Sequence, residues 1–243
     1  MKIRWKKLTG IYLIAFCCII LIYNSINPPR PAGEWDDYSL PIASIMNGNG
    51  FGISAGDVEA YKEIFPEWAA YIDGYSLSPF MTKDGDQMPW YFPIYAIACL
   101  PLTLLLQAMD LPTTYAFPYT NIALLMASLI MVRKCLHIGE KRKALLIVSL
   151  SANPIVFYIG WASAEVFIYS ALVAAFVSWY NHWYRRAAIF VSIAGMLNPT
   201  IMSTGFFMIA EYFIDLFKNR EISWKNFLKD QWLGVATYGC CYI

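Results

Sequence analysis

The chain has 243 residues, of which 58% are hydrophobic, 17% aromatic and only 14% charged, with a formal net charge of +1 and a mean hydropathy of +0.46. A composition this apolar at this length excludes a water-soluble domain. It describes an all-α, polytopic membrane protein.

The first apolar run, residues 8–26, has about the 20 residues a helix needs to traverse the hydrocarbon core. Lys2, Arg4, Lys6 and Lys7 lie in residues 1–7 ahead of it and hold the N-terminus in the cytoplasm. A secretory signal peptide is the rival reading, but the run exceeds a usual signal core and no small-residue cleavage pattern follows Asn27-Pro28-Pro29.

Residues 27–114 form a large outer loop. Up to Pro89 it carries ten acids (Glu34, Asp36, Asp37, Asp57, Glu59, Glu63, Glu67, Asp73, Asp84 and Asp86) against Arg30, Lys62 and Lys83. Scarcity of Lys and Arg marks the outer side. Tyr38, Ile42, Ile45 and Met46 recur at helical spacing, Asp37 stands where an N-cap would, and Asn47-Gly48-Asn49-Gly50 stops the helix. A second short helix is expected from Asp57, with Val58, Tyr61, Ile64 and Phe65 on one side before Pro66. Both are expected to rest on the bilayer or the protein body.

Residues 90–109 and 115–132 are both apolar, and counting both as crossings would strand Arg133, Lys134, Lys141, Arg142 and Lys143 outside. Pro93 and Pro101 disfavour a continuous helix, so 90–109 is expected to be an embedded or interfacial segment and 115–132 the second crossing. Further crossings follow at 144–160 and 166–181, then a hairpin over 187–217 that turns at Asn198-Pro199. This gives six crossings and leaves only Arg30, Lys62 and Lys83 outside among the 18 Lys and Arg residues. Residues 232–243 begin an incomplete seventh, which reads as the N-terminal part of a longer protein.

Little else carries chemistry. The Trp residues at 5, 35, 90, 161, 179, 183, 224 and 232 fall near expected interfaces, as aromatic belts do. The six Cys show no CxxC spacing, and His137 and His182 are isolated, so no zinc site is indicated. Phosphate loops, GxSxG and HExxH are absent from the sequence. Short basic stretches at helix ends argue for anionic membrane lipid contact, not nucleic acid.

The order of features resembles the start of the GT-C superfamily of membrane glycosyltransferases, which includes protein O-mannosyltransferases and aminoarabinose transferases. The resemblance rests on EWDDYSLPIASIMNGNGFGIS after an N-in helix, the run MPWYFPIYAIACLPLTLLL in the same outer loop, and SANPIVFYIGWASAEVFIYSA with an acid at its outer turn. It covers roughly residues 8–217. It implies an inverting transfer from a polyprenyl-phosphate sugar to a lipid, glycan or protein acceptor, on the outer side of a bacterial plasma (inner) membrane. A first-loop acid would serve as general base, matched here by Glu34, Asp36 and Asp37, with the two aspartates favoured. Glu165 matches the second-loop acid of the donor region, and Lys83 is an outer-side cation for the departing phosphate. No organic cofactor is implied; lone acids do not define a metal site, which leaves a divalent cation open.

The plainer readings are that Asp37 caps a helix, that Glu34 and Asp36 are solvated loop acids, and that Glu165 sits in a solvated turn. Glu211, Asp215 and Lys218 share a helical face and read as a structural salt-bridge cluster. A transporter or flippase of a lipid-linked saccharide, or a non-catalytic membrane scaffold, is the alternative function.

Overall fold

Long apolar stretches broken by Pro, Gly and Asn dictate helices, and the computed structural model, which describes residues 4–74, 80–83 and 85–218, is helical throughout apart from loops and isolated bridges. The α-helices are α1 (Trp5–Ile26), α2 (Trp35–Met46), α3 (Ala55–Ile64), α4 (Ile94–Ala108), α5 (Ala116–Cys135), α6 (Glu140–Ser151), α7 (Glu165–Tyr180), α8 (Tyr184–Leu197) and α9 (Met202–Lys218). Tight 3₁₀ segments at Pro66–Gly74, Thr113–Tyr115, Pro154–Tyr158 and Pro199–Ile201 link several of them, three of the four opened by proline.

Among the described residues, two helices are long and apolar enough to cross a membrane, Trp5–Ile26 and Thr113–Cys135. Along α1 the side chains of Ile11, Ile14, Ile19, Ile22 and Ile26 are all exposed, an apolar surface that water would disfavour. Ile94–Ala108 and Glu165–Tyr180 are apolar but shorter.

The chain divides into two compact units. One consists of Ile14–Leu124 and Pro154–Val166. At its centre α2 packs against both α3 and α4, and residues 37–44 are buried without a break. Such a helix is covered all round and is not amphipathic. Rings fill the space: Trp35 meets Tyr61 and Trp68, Phe65 stacks on Trp68, Phe117 on Trp68, and Tyr95 leans on both Phe117 and Tyr38. Trp68 is 1% exposed and its Nε1–H donates to the Pro29 carbonyl at 3.3 Å. Trp35, expected in an interfacial belt, thus belongs to an internal aromatic cluster.

The other unit consists of Met1–Leu13, Leu125–Asn153 and Phe167–Ile243. Its core joins Ala175 of α7, Ala187 and Val191 of α8 and Met208 of α9, with Trp179 and Phe190 packed on them. The α8–α9 hairpin turns at Asn198-Pro199, where the sequence places it; the Asn198 side chain accepts from the Thr200 N–H at 3.1 Å and hydroxyl at 2.6 Å.

Four helical expectations need correction. The first is that α2 starts two residues before Asp37, with Glu34 at the N-cap and Asp36 and Asp37 in the first turn, where their charge suits the helix dipole. Second, α3 starts ahead of Asp57, which closes a capping box with Ser54. The third concerns α4, which runs unbroken through the exposed Pro101; the helix is held past the missing N–H by one packed face, where Tyr95, Ala96, Cys99, Thr103 and Leu106 are buried. Last, the helix expected over 144–160 ends at Ser151, where Asn153-Pro154 diverts the chain into a 3₁₀ turn. Asp215 and Lys218 of the supposed salt-bridge cluster have side chains outside the described residues, as does the whole segment 232–243.

Candidate functional site

Asp37 is the residue on which the unit of Ile14–Leu124 and Pro154–Val166 converges. Its side chain is 5% exposed, and Oδ1 accepts the Trp90 N–H at 3.0 Å. Burial pushes its carboxyl up to about 6; the Trp90 bond opposes this, and the charges of Asp36 and Glu34 add to it. Pro41, four residues on in α2, has no N–H to offer the Asp37 carbonyl.

Glu34 lies at the N-cap of the same helix, half-buried, and its Oε1 accepts the Tyr91 hydroxyl at 2.5 Å. That bond, with burial and the charges of Glu34, Asp37 and Glu165, pushes the Tyr91 phenol up to about 12. Tyr38 is almost completely buried and stacks on Tyr91 with centroids 6.0 Å apart, while Tyr95 meets it edge-on at 5.1 Å. Its phenol is also raised, by burial first and then by Glu34, Glu165, Tyr91 and Asp37. The fields of Glu34, Asp37 and Glu165 therefore meet on one pair of stacked tyrosines.

Glu165 is exposed at the first position of α7. The turn ahead of it is pinned from inside: Asn121, fully buried in α5, donates Nδ2–H to the carbonyls of Ile159 and Trp161, each at 3.2 Å, and accepts the Tyr95 hydroxyl at 2.9 Å. The same turn bridges to Arg30, and Gly160 sits close to the Asn24 side-chain oxygen. Nothing in the local sequence around Asn121 signals this role.

Asp36 is turned elsewhere. It is half-exposed, receives the Asp37 N–H at 3.2 Å, and acts on Tyr61, whose phenol is raised chiefly by burial. Of the two aspartates that the resemblance offers, Asp37 is the buried one. Lys83 is exposed at the tip of a turn between Phe80 and Met88, whose backbone pairs with Ile53 through Gln87; no contact brings it to the acids. Glu34, Asp37 and Glu165 make no ion pair among the described residues. No group of three or more His, Cys, Asp or Glu side chains among the described residues is disposed to hold a metal ion.

Sequence reasoning missed Tyr91, Asn121 and the Trp90 N–H. The separation of 57 residues between Glu34 and Tyr91 gives no periodic signal, and the only hint is the crowding of Trp90, Tyr91 and Phe92 between two prolines.

Chemically, the arrangement offers a buried carboxylate that exchanges its proton near neutrality, a second carboxylate tied to a phenol, and a third at a helix N-terminus. Next to them the rings of Trp90 and Phe80, 52% and 66% exposed, meet edge to face at 6.4 Å. No protein-family model, no curated protein and no solved structure matches the chain.

Proposed function

We propose that the chain is a multi-pass membrane glycosyltransferase that transfers a sugar from a polyprenyl-phosphate donor to an acceptor hydroxyl, with Asp37 as general base. The observation that carries this reading is the Asp37 carboxyl, buried at the start of α2 and raised to about 6. A base whose conjugate acid lies near the working pH is best suited to accept a proton as the transition state forms.

In the reaction the acceptor O–H gives its proton to Asp37 as the acceptor oxygen bonds to the anomeric carbon. The bond from that carbon to the donor phosphate breaks on the opposite face, and the lipid phosphate leaves with the electron pair, inverting the centre. Glu34, whose carboxylate accepts the Tyr91 hydroxyl, lies near Asp37, and its charge helps to raise the Asp37 carboxyl. The exposed Trp90 and Phe80 rings offer an apolar face for a sugar or a polyprenyl chain. In this reading Glu165 lines the donor side, the N-terminus is cytoplasmic and the acid-rich loop lies outside. Six crossings in a bacterial plasma membrane belong to the same proposal.

The test is sugar transfer by membranes containing the protein, supplied with radiolabelled polyprenyl-phosphate sugars, comparing the native chain with Asp37→Asn, Asp36→Asn and Glu165→Gln. Transfer is expected to fall by about 10²-fold or more in Asp37→Asn at normal protein level and to survive in Asp36→Asn. Undiminished transfer in Asp37→Asn would remove it as the base. Absence of transfer by the native protein with every donor would favour a transporter or scaffold.

A further inference from the structure

The unit of Met1–Leu13, Leu125–Asn153 and Phe167–Ile243 carries an open, solvent-facing cavity of about 500 Å³ lined by Arg4, Trp5, Lys6, Lys7, Arg133 and Glu140. Four of these six side chains are cationic. The one acid is already engaged, because Glu140 Oε1 receives Lys143 Nζ at 3.1 Å. Arg4, Lys6, Lys7 and Arg133 have no acidic partner within salt-bridge distance among the described residues, and like charges gathered on one wall repel unless an anion joins them.

Two features of the chain assemble this wall. The helix α1 begins at Trp5, where the Lys7 and Leu8 N–H groups donate to the Arg4 carbonyl at 2.9 and 3.2 Å, so Arg4, Trp5, Lys6 and Lys7 of the wall sit at the positive end of its dipole. Arg133 arrives from the far end of α5 and lies across α1, with Nη2 donating to the Lys6 carbonyl at 3.2 Å. It can do so because residue 10 is glycine: a Cβ there would stand 2.9 Å from Nη2 and 3.3 Å from Cζ. The guanidinium brings a planar fork of donors that matches phosphate oxygens, which the neighbouring lysines complement as point charges.

We propose that this cavity is a binding site for a phosphate group, with the Arg133 guanidinium laid over Gly10 as its principal donor. The volume accommodates the phosphate together with part of the molecule that carries it. An anionic phospholipid headgroup and a free phosphate share this chemistry. The site is independent of the sugar-transfer reading, since none of its residues belongs to the acid cluster around Asp37.

The full chain, purified and reconstituted in phosphatidylcholine nanodiscs with or without phosphatidylglycerol, tests the proposal. Lipid retained by the protein is measured by native mass spectrometry, and inorganic phosphate is titrated against chloride at constant ionic strength with the melting temperature as readout. The native chain is expected to retain phosphatidylglycerol over phosphatidylcholine, to be stabilised by phosphate over chloride, or both. Selective lipid retention alone identifies a headgroup site, and a phosphate response alone a soluble ligand.

Gly10→Ala favours the helix and displaces only the end of a flexible side chain, so it is expected to weaken binding about tenfold while the protein still folds. Arg133→Gln is expected to weaken it at least as much. No discrimination by the native chain in either assay, or unaltered binding in Gly10→Ala, would overturn the proposal.

Discussion

Asn at position 37 is expected to stabilise the protein at neutral pH. Asp37 has an ordinary value of 3.8 in the unfolded chain and about 6 in the folded one, so the folded state binds its proton more tightly. Between these values stability falls as pH rises, and above about 6 the ionised group carries the whole penalty. The difference corresponds to about 3 kcal/mol, which residual solvent screening of a charge close to the protein surface lowers to about 1–2 kcal/mol. Asn keeps an oxygen for the Trp90 N–H and carries no charge, so Asp37→Asn is expected to melt about 2–8 °C higher at pH 7.5. Melting curves of the purified protein between pH 4 and 8 would check this, with the gain shrinking toward zero at the acid end. A variant that melts at or below the native temperature at pH 7.5, or whose gain is independent of pH, would refute the reasoning. A stabilised protein that has also lost sugar transfer would mark Asp37 as a group kept at a cost to stability.

Asp57 should behave in the opposite sense. Burial alone would raise its carboxyl, but bonds from the Ser54 N–H and hydroxyl and from the Asn47 and Asn49 amides, each at 2.8 Å, outweigh it and hold the group below the ordinary carboxylate range. Its contribution is therefore present above about pH 4 and is lost as pH falls through the lower folded value. Asp57→Ala is expected to cost about 3 kcal/mol at pH 7, measured by denaturation in mixed micelles, and to flatten the acid limb of the stability profile. Asn121→Ala should cost about 2–3 kcal/mol and raise amide hydrogen exchange over residues 154–166, because the Ile159 and Trp161 carbonyls and the Tyr95 hydroxyl lose their shared partner. Unchanged exchange there would show that the turn before Glu165 is held by other contacts.

What could be read along the chain were features set by neighbours a few residues apart. Apolar length and proline or glycine punctuation place α1, α5, α7 and the α8–α9 hairpin within a few residues of where they form. The stop after α2 is equally local, since Gly48 and Gly50 take φ of +89° and +74°, which other residues rarely adopt. Pattern failed where packing overrides propensity. Residues 37–44 carry one apolar face by spacing, yet helices on either side bury them all, and Pro101, itself exposed, remains helical because one face of α4 is buried at Tyr95, Ala96, Cys99, Thr103 and Leu106.

The site divides along the same line. Its acids were visible as a cluster in an otherwise polar loop, and Glu165 as an acid between apolar runs. That Asp37 and not Asp36 is buried, that Tyr91 reaches Glu34, and that Asn121 fixes the turn before Glu165 were decided by tertiary structure. Those facts depend on burial and on partners 38 to 57 residues apart in the chain, and the local pattern of residues has no term for either.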